Sequence, residues 1–399
     1  MSILKVVRIK KIRLLINRMK VWYAPNQFEA YGEEEIKAVE ASLRAGWLAG
    51  FGPRTVEFES KVSALFGKKH GLFVNSGSSA ILLALSVLDL QPDDEVVTPA
   101  CGFATTVAPI QQVGAKPVFC DADIAKYVPN VEQIRAVVTP RTKVLLIPNL
   151  IGNTPDWKGL REAFPDLVLI EDSADTITMT PESDISTTSF YASHVITAGG
   201  VGGMVMFNSD TQLKKAIMYR DWGRIGDNSE DPSDRFNHSV DGIPYDWKFL
   251  YGVAGYHLKA SEMNAAFGLV QVHRLEGLLA KRRANIERYL ERLKDTTYYT
   301  LPDDSKKPNW LAIPLMCPDR LELLHFLENN GVQTRVCFAG NITRHPAWRR
   351  YLQPFENSDR IMGEGFLLGA HHGMSLTDVD YVCNLLETFA ATKAKAQTP

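Results

Sequence analysis

From about residue 54 the apolar positions switch repeatedly between short β-rich runs and longer stretches with helical spacing. The runs at 71–74, 95–98, 117–119, 144–147, 167–170 and 204–207 predict strands, and the segments 80–88, 105–113, 131–137 and 157–164 between them predict helices. Such alternation is the pattern of an α/β domain with a mainly parallel sheet. The strands are continuously apolar, so both faces of that sheet are expected to be covered.

After a polar stretch rich in Gly, Pro and Asp at 226–244, the segment 260–292 has few breakers and places Leu269, Val272, Leu275, Leu278 and Leu279 at helical spacing. Beyond it, 310–316, a helix at 320–329, 333–338 and a last helix at 378–390 predict a smaller C-terminal α/β domain. The expected organisation is a leader at 1–20, a large domain at 21–265, and the long helix with the small domain at 266–399.

Composition narrows the function. The 399 residues hold 44 Lys and Arg against 46 Asp and Glu, for a net charge of −2, which argues against a general nucleic-acid binder. Residues 1–20 carry Lys5, Arg8, Lys10, Lys11, Arg13, Arg18 and Lys20 without an acid. With those seven set aside, the remainder stands near −9. Interleaved Ile, Leu and Val make the leader readable as a basic amphipathic helix or transit peptide, or as a disordered extension or an upstream start before Met19. The leader is expected to be disordered. No apolar run reaches the roughly 18 residues of a membrane span, so a cytoplasmic protein is expected. The five cysteines, Cys101, Cys120, Cys317, Cys337 and Cys383, form no C-x-x-C, so their spacing gives neither a zinc site nor a disulfide framework.

In a parallel sheet the turns after the strands carry the ligands. The first, Asn75-Ser76-Gly77-Ser78-Ser79, opens a helix with small residues whose N–H groups can face a phosphate, although Ser and Gly also make ordinary caps. It is neither a Walker loop nor a G-x-G-x-x-G. The second places Phe103 just past a strand, as a ring stacker or a core aromatic. A third, Glu171-Asp172-Ser173-Ala174-Asp175, ends an apolar strand with acids that either hold a heteroaromatic nitrogen protonated or cap the next element. A phosphate cup, a ring stacker and an acid, in that order, fit pyridoxal 5'-phosphate (PLP).

Ser76-Gly77-Ser78, Glu171-Asp172, Ser189-Phe190, Arg220-Asp221-Trp222-Gly223-Arg224, Gly255-Tyr256 and Ala339-Gly340-Asn341 together resemble the fold-type I PLP-dependent transferases. More narrowly, they resemble the nucleotide-sugar aminotransferase (DegT/DnrJ/EryC1/StrS) family, from about Trp22 to Thr388. The resemblance implies that Gly77, Ser78 and Ser189 hold the cofactor phosphate. It also implies that Phe103 stacks on the ring, Asp172 pairs with the pyridinium nitrogen and Asp175 lies near the ring hydroxyl.

One departure redirects the expected chemistry. Where aminotransferases of this family carry a lysine that links covalently to the cofactor, this chain reads Ser189-Phe190-Tyr191-Ala192-Ser193-His194, and the nearest lysines in sequence are Lys158 and Lys214. Imidazole forms no stable link of that kind but suits a general base near neutrality. Histidine in this frame resembles the PLP-dependent nucleotide-sugar 3-dehydratases, whose known members act on GDP-4-keto-6-deoxymannose or CDP-4-keto-6-deoxyglucose. The resemblance implies that His194 is the acid/base for expulsion of the sugar's 3-hydroxyl, with pyridoxamine 5'-phosphate (PMP) as the working form.

The CDP-type enzymes hold an iron–sulfur centre with cysteines just after the Asp-Trp-Gly-Arg motif. Residues 225–235 here contain none, so no such cluster is expected. The implied route is then the glutamate-fed one, in which glutamate regenerates PMP and the products are a 3,6-dideoxy-4-keto sugar and ammonia. Asp221-Trp222-Gly223-Arg224 and Phe338 to Arg344 nevertheless look closer to the CDP type, which leaves the nucleotide open. His257 stands where the family often has an asparagine that reaches the partner subunit's cofactor phosphate, and the run 199–203 lacks the usual acid. A homodimer with shared sites is implied, and Trp47, Arg224 and Arg344 are candidates for nucleotide or sugar contacts. Two other readings remain open: a related PMP enzyme that needs a reductase or yields an amino sugar, and a noncatalytic PLP-binding regulator with His194 as a relic. No metal site is expected.

Overall fold

The computed structural model describes residues 19–25, 29–226 and 229–396, so the basic leader lies almost wholly outside the described residues. Seven strands form the large sheet: β1 (His70–Val74), β2 (Glu95–Pro99), β3 (Lys116–Cys120), β4 (Thr142–Pro148), β5 (Val168–Ser173), β6 (Ile185–Ser189) and β7 (Gly203–Phe207). Their order is β1-β7-β6-β5-β4-β2-β3, and only the two pairings made by β7 are antiparallel. Six of the seven match predicted runs. The seventh, β6, reads Ile-Ser-Thr-Thr-Ser; its ladder is reinforced by hydroxyls, with Thr187 Oγ1 donating to Glu171 O at 3.1 Å and Thr188 Oγ1 to Ser173 O at 2.9 Å.

Both faces of the sheet are covered, as continuous apolar strands require. Val144, Leu146, Ile170 and Val205 join one buried cluster with Ala80, Leu83 and Ile110, whereas Leu145, Ile147 and Leu169 join another with Ile134, Trp157 and Leu160. These partners come from the helices Gly77–Ser86, Ala104–Gln112, Val131–Arg135 and Trp157–Ala163.

The long helix Glu262–Leu293 has 32 residues and spans about 48 Å at 1.5 Å per residue. Its first half packs Ala265, Leu269 and Leu275 against the large domain, and its second half packs Ile286, Tyr289 and Leu293 into the small one. The expected boundary at 265/266 therefore falls in the first turn of an element that serves both cores. The small domain holds an antiparallel sheet ordered β10 (Ala312–Met316), β12 (Gly365–Gly369), β11 (Thr334–Val336). The segment at 20–23 belongs to this domain in space: Val21 pairs with Val332, and Tyr23 N–H donates to Gln333 Oε1 at 3.1 Å. The polar stretch 226–244 contributes to a hairpin of β8 (His238–Val240) and β9 (Ile243–Tyr245). Among the described residues no helix is long and apolar enough to cross a membrane.

Candidate active site

The carboxyl ends of β2, β4, β5 and β6 open onto one cavity of about 540 Å³. Gly77, Ser78, Phe103, Asp172, Asp175, Ser189 and His194 all line it, so seven of the expected site residues, 117 positions apart in sequence, meet in one place.

At the head of the Gly77–Ser86 helix, Ser76 caps the turn by accepting the Ser79 N–H, which leaves the N–H groups of Gly77 and Ser78 without an intrahelical acceptor. These donors and the positive end of the helix make an anion site. Gly77 is required by close approach rather than by backbone angle, since a Cβ there would stand 2.7 Å from Ser189 Cβ. The absence of that carbon brings the helix start against Ser189.

Asp172 ends β5 and is buried, with Oδ2 accepting from Thr106 Oγ1 at 2.7 Å and Oδ1 from Ala174 N–H at 3.3 Å. Burial pushes its pKa up, against those two bonds, so the carboxylate lacks the cation that would balance it. Its neighbour Glu171 points the other way. It accepts from Asn149, Ser173, Thr180, Ser183 and Ser186 in a buried network that anchors the strand end. Asp175 Oδ2 accepts the Ile151 N–H at 2.8 Å, and burial together with the charge of Asp172 raises its pKa to about 7.

His194 sits on a loop that folds back on the end of β6. Phe190 N–H donates to Gly202 O, Ala198 N–H to Phe190 O and His194 N–H to Tyr191 O, a path that uses Gly200 at φ 98° and Gly202 at φ 129°. Its Nδ1 lies 3.3 Å from Ser189 O, a group that only accepts, which assigns the ring proton to Nδ1 and the lone pair to Nε2. Burial first, and then the charge of Arg282, lowers the His194 pKa to about 4, so Nε2 is a free base at neutral pH. Arg282 is itself fully buried and donates to Leu311 O at 3.0 Å and to His194 O at 3.5 Å.

Phe103 is 53% exposed and stands edge-to-face to Phe338 at 6.0 Å, forming part of the cavity wall rather than the core. The residues that sequence reasoning missed are Thr106, which braces Asp172, and Tyr23 and Arg335, which reach the same cavity from the small-domain side. No lysine is among the lining residues.

Four expected site residues do not line this cavity. Asp359 holds the Arg344 guanidinium through both Nε and Nη2, the latter at 2.6 Å, on the protein surface. His257 is exposed and stacks on Trp222 at 4.6 Å, while Arg224 lies over the Trp222 ring at 4.6 Å. Trp47 is 51% exposed, also away from the cavity. These three belong to an outer face.

The residues present fit PLP. Free N–H groups and two serine hydroxyls suit its phosphate, an aromatic wall suits its ring, and a buried acid without a cation suits a protonated ring nitrogen.

The chain is 37% identical to the lipopolysaccharide biosynthesis protein RfbH of Salmonella typhimurium, a match that covers 92% of this chain and 91% of that one. It is 33% identical to a dTDP-4-dehydro-2,6-dideoxy-D-glucose 3-dehydratase of Saccharopolyspora spinosa, over 90% of this chain and 84% of that one. Its fold matches a solved GDP-4-keto-6-deoxymannose-3-dehydratase with a trapped PLP-glutamate geminal diamine at a TM-score of 0.81 and 23% identity, covering 91% and 99% of the two chains. Residues 29–387 match the DegT/DnrJ/EryC1/StrS aminotransferase family, and the chain belongs to that family.

Proposed function

We propose that this protein is a PLP/PMP-dependent dehydratase that removes the C-3 oxygen of a nucleotide-linked 4-keto-6-deoxyhexose. Glutamate regenerates PMP, and the products are a 3,6-dideoxy-4-keto sugar and ammonia. One observation carries the reading: the base facing the cavity is His194, in its neutral form, and no lysine lines that cavity. The substrate class is supported by the 3-dehydratase relative, and glutamate by the adduct trapped in the structure of similar fold.

Gly77, Ser78 and Ser189 would hold the cofactor phosphate, Phe103 would cover the ring, Asp172 would meet the ring nitrogen and Asp175 would lie near the ring hydroxyl. Bound as PMP, the cofactor supplies an amine for the 4-keto carbon and a cationic ring that accepts electron density. Asp172, buried and held by Thr106, keeps that cation in place. His194 takes up a proton at Nε2 while its Nδ1–H stays on Ser189 O, and then delivers the proton to the departing 3-hydroxyl, which leaves as water. The imidazole ends the cycle neutral. Without a lysine the cofactor is retained by noncovalent contacts.

The working unit in this reading is a cytoplasmic homodimer with shared sites. Exposed Phe51, Trp222, Phe249 and Tyr251 cluster around Arg224, His257 and Lys259, an aromatic face of the kind a second subunit covers. Across that interface His257 would reach the partner's cofactor phosphate, and Trp47 and Arg224 the nucleotide sugar.

Addition of glutamate to purified PLP-loaded protein tests the regeneration step. The aldehyde absorbance is expected to bleach with formation of PMP; PLP that persists under saturating glutamate removes the self-regenerating route.

A further inference from the structure

Tyr23 and Arg335 lie together on the wall of the cavity. The main chain at Val21–Tyr23 is tied to β11 through the Val21–Val332 bridge and the Gln333 side chain, so the Tyr23 ring is fixed beneath Arg335, whose guanidinium stands 5.2 Å from its centroid. Arg335 uses one donor on a protein acceptor, Nη1 to Thr334 O at 2.7 Å. The Tyr23 hydroxyl has no hydrogen-bond partner among the described residues. Burial and the nearby Asp175 charge raise its pKa well above the usual phenol value, which keeps it a donor.

A guanidinium with unused donors next to a protonated phenol, both facing a cavity, is a receptor for an oxyanion. The lining residues decide which one. Arg335 is the one Arg or Lys among them, and His194 is neutral, so the wall offers a single positive charge. That matches a carboxylate, which the planar fork of arginine grips with two parallel bonds, better than the two charges of a nucleotide diphosphate.

We propose that Tyr23 and Arg335 are the subsite for a carboxylate of the amino donor, and so the feature that restricts PMP regeneration to amino acids. The inference rests on the proposed function in taking that donor to be glutamate.

The test uses PLP-loaded protein and two probes: glutarate, an unreactive dicarboxylate read by calorimetry, and glutamate, read by loss of the aldehyde absorbance. Arg335→Gln is expected to weaken both by about 30-fold or more, the size of a lost charge-assisted pair, and Tyr23→Phe by about fivefold. Arg335→Lys is expected to restore part of the loss. In PMP-loaded enzyme the KM for the nucleotide sugar is expected to move less than about threefold in Arg335→Gln. Equal glutarate affinity in wild type and Arg335→Gln overturns the proposal, as does absence of glutarate binding to wild type or a loss that falls on the nucleotide-sugar arm. If wild type binds glutarate through Arg335 yet glutamate leaves PLP unchanged, the subsite stands and the regeneration route falls.

Discussion

His194 Nε2 stands 4.0 Å from Asp175 Oδ1, and burial drives each of the two groups toward its neutral form, His194 to a pKa of about 4 and Asp175 to about 7. At this distance and in these states the pair is not an ion pair in the cofactor-free protein. It becomes one when Nε2 takes up a proton, so in the proposed reaction Asp175 would stabilise the cation that His194 forms.

Cofactor affinity is expected to depend on pH through this arrangement. Asp175 is protonated below about pH 7 in cofactor-free protein, and the cationic ring favours its ionised form, so binding must release that proton. The apparent affinity for PLP is expected to weaken about tenfold per unit as pH falls from 7 to 5, read by absorbance titration. In Asp175→Asn that slope is expected to vanish.

Asp172→Asn keeps the shape and the Thr106 bond but removes the charge proposed to hold the ring cation. Turnover of PMP-loaded enzyme is expected to drop about 100-fold or more, while PLP affinity falls less than about tenfold. A larger loss in binding than in turnover would assign Asp172 to anchoring instead.

Gly77→Ala places a carbon 2.7 Å from Ser189 Cβ, which pushes the helix start away from the serine of the proposed phosphate cup. The expected result is a roughly tenfold weaker PLP affinity at a strain cost of about 1–3 kcal/mol. Circular dichroism checks that helix content is retained.

His372 is buried, donates from Nε2 to Glu29 O at 3.1 Å and is held near a pKa of about 3 by burial and by Arg282. The unfolded chain binds its proton near the ordinary 6.5, so between pH 6.5 and 3 unfolding takes up a proton and stability is lost as pH falls. At pH 5 that amounts to about 2 kcal/mol. Relative to wild type, His372→Gln is expected to gain about that much stability between pH 7.5 and pH 5, measured by urea unfolding at both values.

The sequence and the structure agree where physics is local. Val144 to Ile147 and Met204 to Phe207 announce buried strands by their own composition, and the Ser76 cap and the Asp172 turn lie at the strand ends where ligands gather. The strand at Ile185–Ser189 carries no such run, because its hydroxyls bond to the neighbouring strand instead of packing. The reversed direction of β7 leaves no trace in an apolar pattern that reads alike both ways. Thr106, Tyr23 and Arg335 escape sequence reasoning for a different reason. Each is ordinary in its own segment and meets its neighbours only when the sheet brings Thr106 to Asp172, or when the segment at 20–23 lies beside the residues leading into β11. Arg344 was legible as a cation but not as one already captured by Asp359.

In the proposed reaction a histidine in the lysine position turns amine transfer into elimination. The most direct test is incubation of the enzyme with glutamate and GDP-, CDP- or dTDP-4-keto-6-deoxyhexose, followed by product mass and ammonia assay. A sugar that has lost its 3-oxygen, with ammonia released in equal amount, is the predicted result. A stable amino sugar that keeps the 3-oxygen would contradict it.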